Sequence, residues 1–293
     1  MDEPPARPAV WSLWLGGLIS VGLLAAIGVQ LARTPPATFA VLAGLSPAVF
    51  VSFTLLYLAQ PVADLVIYRR VWNLPLSGLG ALLRKTAINE AVFGYGGELY
   101  LYLWARRRAG LTYAPFAAIK DVNILSSIMG FGFTLAVLLL AVAWAHNADL
   151  VRLLRSVQWP AVGVMAIALG ALVFARRVFS LKPRDIAFVA AAHGVRLTAY
   201  CGLTIATWAL ALPSVALDVW VVLLAVTLLG ARIPFLTNKT LVVGNVVLLV
   251  LGPGSSFAVL LAAMAVATLG AHLVVIAVLG SQDLWRALRP HSG

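Results

Sequence analysis

Six stretches of this chain run for at least 20 residues without an Asp, Glu, Lys or Arg: 8–32, 34–63, 122–148, 156–175, 197–217 and 240–282. A helix that crosses a hydrocarbon core of about 30 Å needs roughly 20 mostly apolar residues. Each run is of that order, and the last has room for two spans. None shows the ~10-residue alternating segments of a membrane β-barrel. Composition agrees: 62% of residues are hydrophobic, 11% are charged and mean hydropathy is +0.99. Soluble domains carry about 45–50% apolar and about 25% charged residues, and disorder needs low hydrophobicity with high charge. The expectation is an all-α, polytopic transmembrane helical bundle. Residues 1–293 form one integral membrane domain, with no room for a soluble catalytic domain.

Eight spans are predicted near 11–32, 40–62, 122–145, 158–175, 186–211, 214–231, 235–251 and 256–279. Their breaks fall at Thr34-Pro35-Pro36, Lys182-Pro183-Arg184, Arg232-Ile233-Pro234 and Gly252-Pro253-Gly254, where proline and glycine interrupt helices. Region 76–104 differs. It holds Arg84, Lys85, Asn89, Glu90 and Glu98 together with Gly94, Gly96 and Gly97, which makes it a poor ordinary span. If it dips in and returns as a re-entrant Gly-rich helical hairpin, both termini are cytoplasmic. Seventeen basic residues then lie inside, Arg232 and Lys239 among them, against Arg33, Arg152 and Arg155 outside. A full crossing gives at best 13 inside and 7 outside. The positive-inside rule prefers the hairpin. Residues 1–10 and 280–293 become short cytoplasmic ends. Irregular backbone at membrane depth requires surrounding protein or a water-filled cavity, so the hairpin implies a cavity.

The excess of 21 Lys+Arg over 10 Asp+Glu does not indicate nucleic acid here, because the basic residues flank apolar spans. Arg outnumbers Lys 17 to 4, and the guanidinium fork suits phosphate oxygens. Cys201 is the sole cysteine, so no intramolecular disulfide or thiolate cluster can form. The opening Met-Asp-Glu-Pro-Pro-Ala-Arg is not a cationic signal n-region, so the first run is expected to remain as a span. Most tryptophans, such as Trp72 and Trp144, lie near predicted span ends, as an interfacial belt requires.

Catalytic signatures are missing. The chain has no His-Glu-x-x-His, no phosphate-binding Gly-x-x-x-x-Gly-Lys, no Gly-x-Ser-x-Gly and no paired Asp motif. His146, His193, His272 and His291 are scattered and suggest no metal site. No cofactor is expected.

The most informative segment is Asn89-Glu90-Ala91-Val92-Phe93-Gly94-Tyr95-Gly96-Gly97-Glu98-Leu99-Tyr100. A half-helix beginning near Gly97 would point its positive end at an anionic group. Glu98 would orient a cationic headgroup, carry a proton or pair with Arg84. The alternative is a tight helix contact through small residues, with Glu98 in a structural ion pair. Residues 84–125 resemble the signature region of the lysylphosphatidylglycerol synthase transmembrane, or flippase-like, family. The matching residues are Asn89, Gly97-Glu98-Leu99, Arg106-Arg107-Arg108 and Lys120-Asp121. Ile233-Pro234-Phe235 through Gly244 resembles that family's second Pro/Gly-rich turn. Gly96 or Tyr95 replaces the family's Pro, and Tyr100 or Leu101 its basic residue, so Arg84 or Arg106 becomes the expected phosphate contact. The resemblance implies a protein that moves lipids or lipid-linked intermediates between leaflets of a bacterial cytoplasmic membrane.

A second polar group lies in 186–211. Arg196 is 12 residues past Arg184, about 18 Å along a helix. His193, Arg196, Tyr200, Thr204 and Thr207 fall on one helical stripe, expected to face the interior. Tyr57, Gln60, Asp64 and Tyr68 form a similar stripe, with Asp64 expected in an interfacial pair with Arg69. Asp121, beside Lys120 and Asn123, is expected to anchor a membrane edge. Lys239 and Asn245, with Asn238, are expected to mirror the first hairpin. Three functions fit: a translocator of an anionic phospholipid or lipid-linked phosphate, a scaffold of a lipid or glycan assembly complex, or a membrane-embedded lipid transferase. The expected partners are anionic or polyprenyl-phosphate lipids.

Overall fold

A computed structural model of the chain describes residues 36–91, 96–106, 115–145, 179–232 and 256–288, with isolated positions in 25–32 and 151–170. The expected spans 11–32 and 158–175 fall outside the described residues apart from those positions. The expected span 235–251 lies wholly outside them, as do Lys239 and Asn245. Among the described residues the regular structure is helical and no strand occurs. The helices are α1 (Pro36–Ala43), α2 (Pro47–Trp72), α3 (Leu79–Ala91), α4 (Gly96–Arg106), α5 (Pro115–Trp144), α6 (Pro183–Ala211), α7 (Leu217–Gly230) and α8 (Ser256–Leu288). A single 3-10 turn, Leu76–Gly78, precedes α3.

Four of these helices are long and apolar enough to cross a membrane, over Pro47–Trp72, Phe116–Trp144, Pro183–Ala211 and Ser256–Gln282. Proline sets the start of three of them and of α1. Pro36, Pro47, Pro115 and Pro183 each occupy a first helical position, where the missing N–H costs nothing and φ is already suitable. Pro47 also displaces one expected boundary. The predicted span 40–62 is a short helix, a break at Gly44–Ser46, and then α2. At its other end α2 closes on Asn73, at φ 54° and ψ 34°. The Asn73 N–H donates to the Arg69 carbonyl and the Leu74 N–H to that of Tyr68, satisfying the last turn.

Antiparallel α2 and α6 form the central pair. Three polar rungs join them: Ser52 to Thr207, Gln60 to Arg196, and Arg70 to Asp185. Helix α5 lies parallel to α6 on one side, and α8 packs on α1 and α3. Two apolar layers close the bundle. One holds Leu65, Tyr68, Leu82, Leu101, Val122 and Val189 from five helices. The other centres on α7, whose Trp220 to Val226 pack on Val49, Trp208 and Leu261. Between them lies a polar layer.

Arg69, Arg70, Arg106, Lys120, Lys182 and Arg184 sit at helix ends on the same face of the bundle, where α2 and α4 finish and α5 and α6 begin. Region 76–104 is two short helices of 13 and 11 residues, about 20 and 16 Å long. Both fall short of a bilayer crossing. They are antiparallel, as the contacts of Asn89 with Gly97 and of Arg84 with Tyr100 show.

Helix α7 departs from expectation. It was expected to span over 214–231, but its 14 residues measure about 21 Å. Residues 220–226, 228 and 229 are buried. A helix that is apolar on every side is enclosed by protein, and its last turn brings Arg232 into the bundle rather than to the basic end. There the Arg232 Nε–H donates to Thr134 Oγ1 at 3.2 Å, with the guanidinium 5.4 Å from the Phe131 ring centre.

Candidate functional site

The polar layer is built outward from Lys85. Helix α3 places Ala81, Leu82, Lys85 and Ile88 on its buried face, so the Lys85 ammonium enters the interior. Lys85 Nζ donates to Asp64 Oδ2 of α2 at 2.8 Å and lies 3.5 Å from Glu98 Oε1 of α4. Relative exposure is 5% for the Lys85 side chain and 1% for that of Asp64. Asp64 Oδ1 accepts from Gln60 Nε2 at 2.8 Å, and Gln60 Oε1 accepts from the Arg196 guanidinium of α6. Arg196 then reaches Ser126 Oγ of α5 at 3.4 Å. On the other flank, Asn89 Nδ2 donates to Glu98 Oε1 at 3.1 Å and the Gly97 N–H donates to Asn89 Oδ1 at 2.7 Å. One chain of contacts therefore joins five helices, α4 to α3 to α2 to α6 to α5.

A charge removed from water must be paired and hydrogen-bonded. Here two cations, Lys85 and Arg196, meet two anions, Asp64 and Glu98, and Gln60 couples the halves. Counted from the ends of their helices, Lys85, Asp64 and Glu98 lie about 9–12 Å from the basic end. Ser126, Gln60 and Arg196 lie about 16–20 Å from it. Counted from the basic end, the set runs from about a third to about half of the depth of a bilayer-sized slab.

Several valences stay open. Glu98 Oε2, Tyr68 Oη and Arg196 Nε are buried without a hydrogen-bond partner. Buried polar atoms are satisfied in the great majority of cases, so one acceptor and two donors in one neighbourhood leave the layer able to take up a proton or a polar group.

The structure places the expected residues as follows. Asp64 pairs with Lys85 and not with Arg69. Five residues turn a helix through 500°, which sets the two side chains about 140° apart. Glu98 meets Lys85 and Asn89, while Arg84 donates to Tyr100 Oη and to the Leu279 carbonyl of α8. The Gly97 amide is engaged by Asn89, and Glu98 places an acidic group in the first turn of α4, where the dipole favours it. Gly97 also permits the close approach of α3 and α4, since a β-carbon there would overlap the Lys85 carbonyl oxygen. Gly96 is buried beside it.

The α6 stripe faces inward as expected, with His193, Thr204 and Thr207 buried and Arg196 and Tyr200 half-buried. His193 stays out of the contact chain; its Nε2–H donates to the Val122 carbonyl at 3.3 Å. Asp121 is a buried clamp and not an anchor at the membrane edge. It is wholly buried, and its Oδ2 accepts the Ser180 and Leu181 N–H groups at 2.6 and 2.7 Å. Those amides precede α6 and have no helical acceptor. Two site residues were missed, Lys85 and Arg232. The signal for Lys85 was its registration with Ala81, Leu82 and Ile88. None exists for Arg232, which in sequence reads as part of a connector.

No family model, characterised protein or solved structure matches the chain. Among the described residues no group of three His, Cys, Asp or Glu is placed to hold a metal ion. His272, for instance, is paired to Tyr57 Oη at 2.8 Å. What the site offers is a protein-lined polar layer of opposed charges, crossing an apolar bundle.

Proposed function

We propose that the chain is a lipid translocator of the flippase-like kind, moving an anionic phospholipid or lipid-linked phosphate intermediate between the leaflets of a bacterial cell membrane. The observation that carries this reading is the chain Glu98–Lys85–Asp64–Gln60–Arg196. A bundle held together by packing alone gains little from four charges drawn into its interior, two of them fully buried, because replacing a buried ion pair with apolar side chains is often neutral or stabilising. Ionisable groups at membrane depth are by default functional candidates. The α3–α4 pair acts as a re-entrant hairpin entering from the cytoplasmic face. Both termini are cytoplasmic, matching the six basic residues at the four helix termini of the basic end. The lipid phosphate meets Arg196 while its tails stay in the bilayer, and Glu98, with its open Oε2, gates the path or carries the coupled proton.

The test is transbilayer movement of fluorescent phosphatidylglycerol and of a polyprenyl phosphate in proteoliposomes. Wild-type protein is expected to accelerate movement, and Arg196→Ala and Glu98→Gln to abolish most of the acceleration. Equal rates in wild type and both variants would remove the polar layer from the mechanism. A scaffold role is the second reading, favoured by the tight closure of the Lys85–Asp64 pair. It requires Arg196→Ala to disrupt a partner complex without altering lipid movement.

A further inference from the structure

Arg196 has a counterpart. On α5, Ser126, Gly130 and Thr134 follow one another at four-residue spacing and so line a single face. Arg196 of α6 reaches Ser126. Arg232, just past the end of α7, spans the next two positions: its Nε–H donates to Thr134, and its terminal nitrogens press on Gly130, where a β-carbon would collide with them. Ser126 and Gly130 are about 6 Å apart along the helix. Two arginines therefore meet α5 about one turn apart, on a face of small residues.

Their charges are not balanced alike. Arg196 is tied through Gln60 to Asp64. Among the described residues no carboxylate forms an ion pair with Arg232. The α7 C-terminus supplies only a partial negative charge, about half a unit. Arginine forks take phosphate oxygens at about 2.7–2.9 Å, and two guanidiniums that meet one helix about a turn apart can each hold a different oxygen of one phosphate.

We propose that Arg196 and Arg232 together form a mid-depth seat for one phosphate group, with Ser126, Gly130 and Thr134 as its floor. This rests on the translocator reading for its setting and adds to it a second guanidinium and a stated ligand, a phosphate monoester or diester. A lipid headgroup and free phosphate share that chemistry.

The experiment uses the full chain in phosphatidylcholine nanodiscs. Two probes are titrated separately, spin-labelled phosphatidylglycerol and inorganic phosphate, against wild type, Arg232→Gln and Gly130→Ala. Gly130→Ala keeps α5 helical and moves only the guanidinium, so it answers the question even if Arg232→Gln folds poorly. Wild type is expected to bind, with affinity falling about ten- to a hundredfold in Arg232→Gln and by a smaller factor in Gly130→Ala. Loss confined to the lipid probe identifies a headgroup seat, and loss confined to phosphate a soluble-anion site. Unchanged affinity for both probes in both folded variants, or no binding by wild type, overturns the seat. Transbilayer movement measured on the same proteins separates the two claims. Movement that depends on Arg196 but not Arg232 sinks the seat and spares the translocator; Arg232-dependent binding without wild-type movement does the reverse.

Discussion

Replacing Lys85 by Met keeps the length of the side chain and deletes its charge. In the native bundle that ammonium serves two carboxylates, Asp64 at 2.8 Å and Glu98 at 3.5 Å, whose side chains are 1% and 15% exposed. Coulomb attraction falls with distance, so at equal screening the Glu98 contact is worth 2.8/3.5, or 0.8, of the Asp64 contact. Lys85→Met therefore strands two anions, whereas Asp64→Leu leaves Lys85 still paired with Glu98. Breaking a buried pair from one side costs about 3–5 kcal/mol. Lys85→Met is expected near the top of that range and Asp64→Leu near the bottom, about 7–8 kcal/mol if simply added. The double variant removes the Asp64 pair outright but still leaves Glu98 with Asn89 alone and Gln60 Nε2 without its acceptor, a loss of about 3 kcal/mol and not the sum. Each kcal/mol moves the midpoint of a domain this size by about 2–4 °C. The assay is thermal unfolding of the four proteins in detergent, monitored by loss of the monodisperse gel-filtration peak. Lys85→Met should unfold roughly 8–20 °C early, with the Asp64 share of the loss restored in the double variant. Additive shifts, or a Lys85→Met midpoint at the wild-type value, would refute the assignment of Lys85 as the hub.

Asp121→Asn removes a charged acceptor from the Ser180 and Leu181 amides and is expected to cost about 1.5–3 kcal/mol; limited proteolysis ahead of α6 should quicken, and an unchanged cleavage rate would count against the clamp. Gly97→Ala forces apart α3 and α4 at the Lys85 carbonyl and is expected to destabilise by at least about 3 kcal/mol, whereas Gly202→Ala, which meets nothing within 4 Å, should be neutral in the same unfolding assay. Tyr57→Phe gives up the bond to His272 that joins α2 to α8 and should lower stability by about 0.5–1.5 kcal/mol; a larger loss would mean the phenol serves a second partner.

Legibility followed how locally each feature is encoded. The stripe of His193, Arg196, Thr204 and Thr207 was readable because a polar file at helical spacing in an apolar segment has one sensible direction to face. The α3–α4 break was readable because glycines and five charged or amide residues crowd a stretch too polar to span. The Lys85–Asp64 pair was not, since it joins residues 21 apart in sequence and depends on how their two helices are rotated against each other. Arg69 was the nearer partner for Asp64 in sequence but faces another way. Arg232 was hidden for a different reason. An arginine before Ile233-Pro234 looks like the end of a span at the membrane surface, and only the shortness of α7 brings it inside.

That short helix also constrains how the protein is assembled. An insertion machinery admits segments to lipid one by one according to hydrophobicity and length, and Leu217–Gly230 is apolar enough but too short to cross alone. Its native surroundings are not lipid but α5, α6 and the first turns of α8. α7 can reach its final place only after α5 and α6 have already paired, and both of these walls are synthesised before it, with α8 closing the site last. Slowing translation after residue 232 should therefore do little harm. A circular permutation that delivers α7 before α5 should leave a hydrophobic helix with nowhere to settle, and quality-control proteolysis would be the visible result.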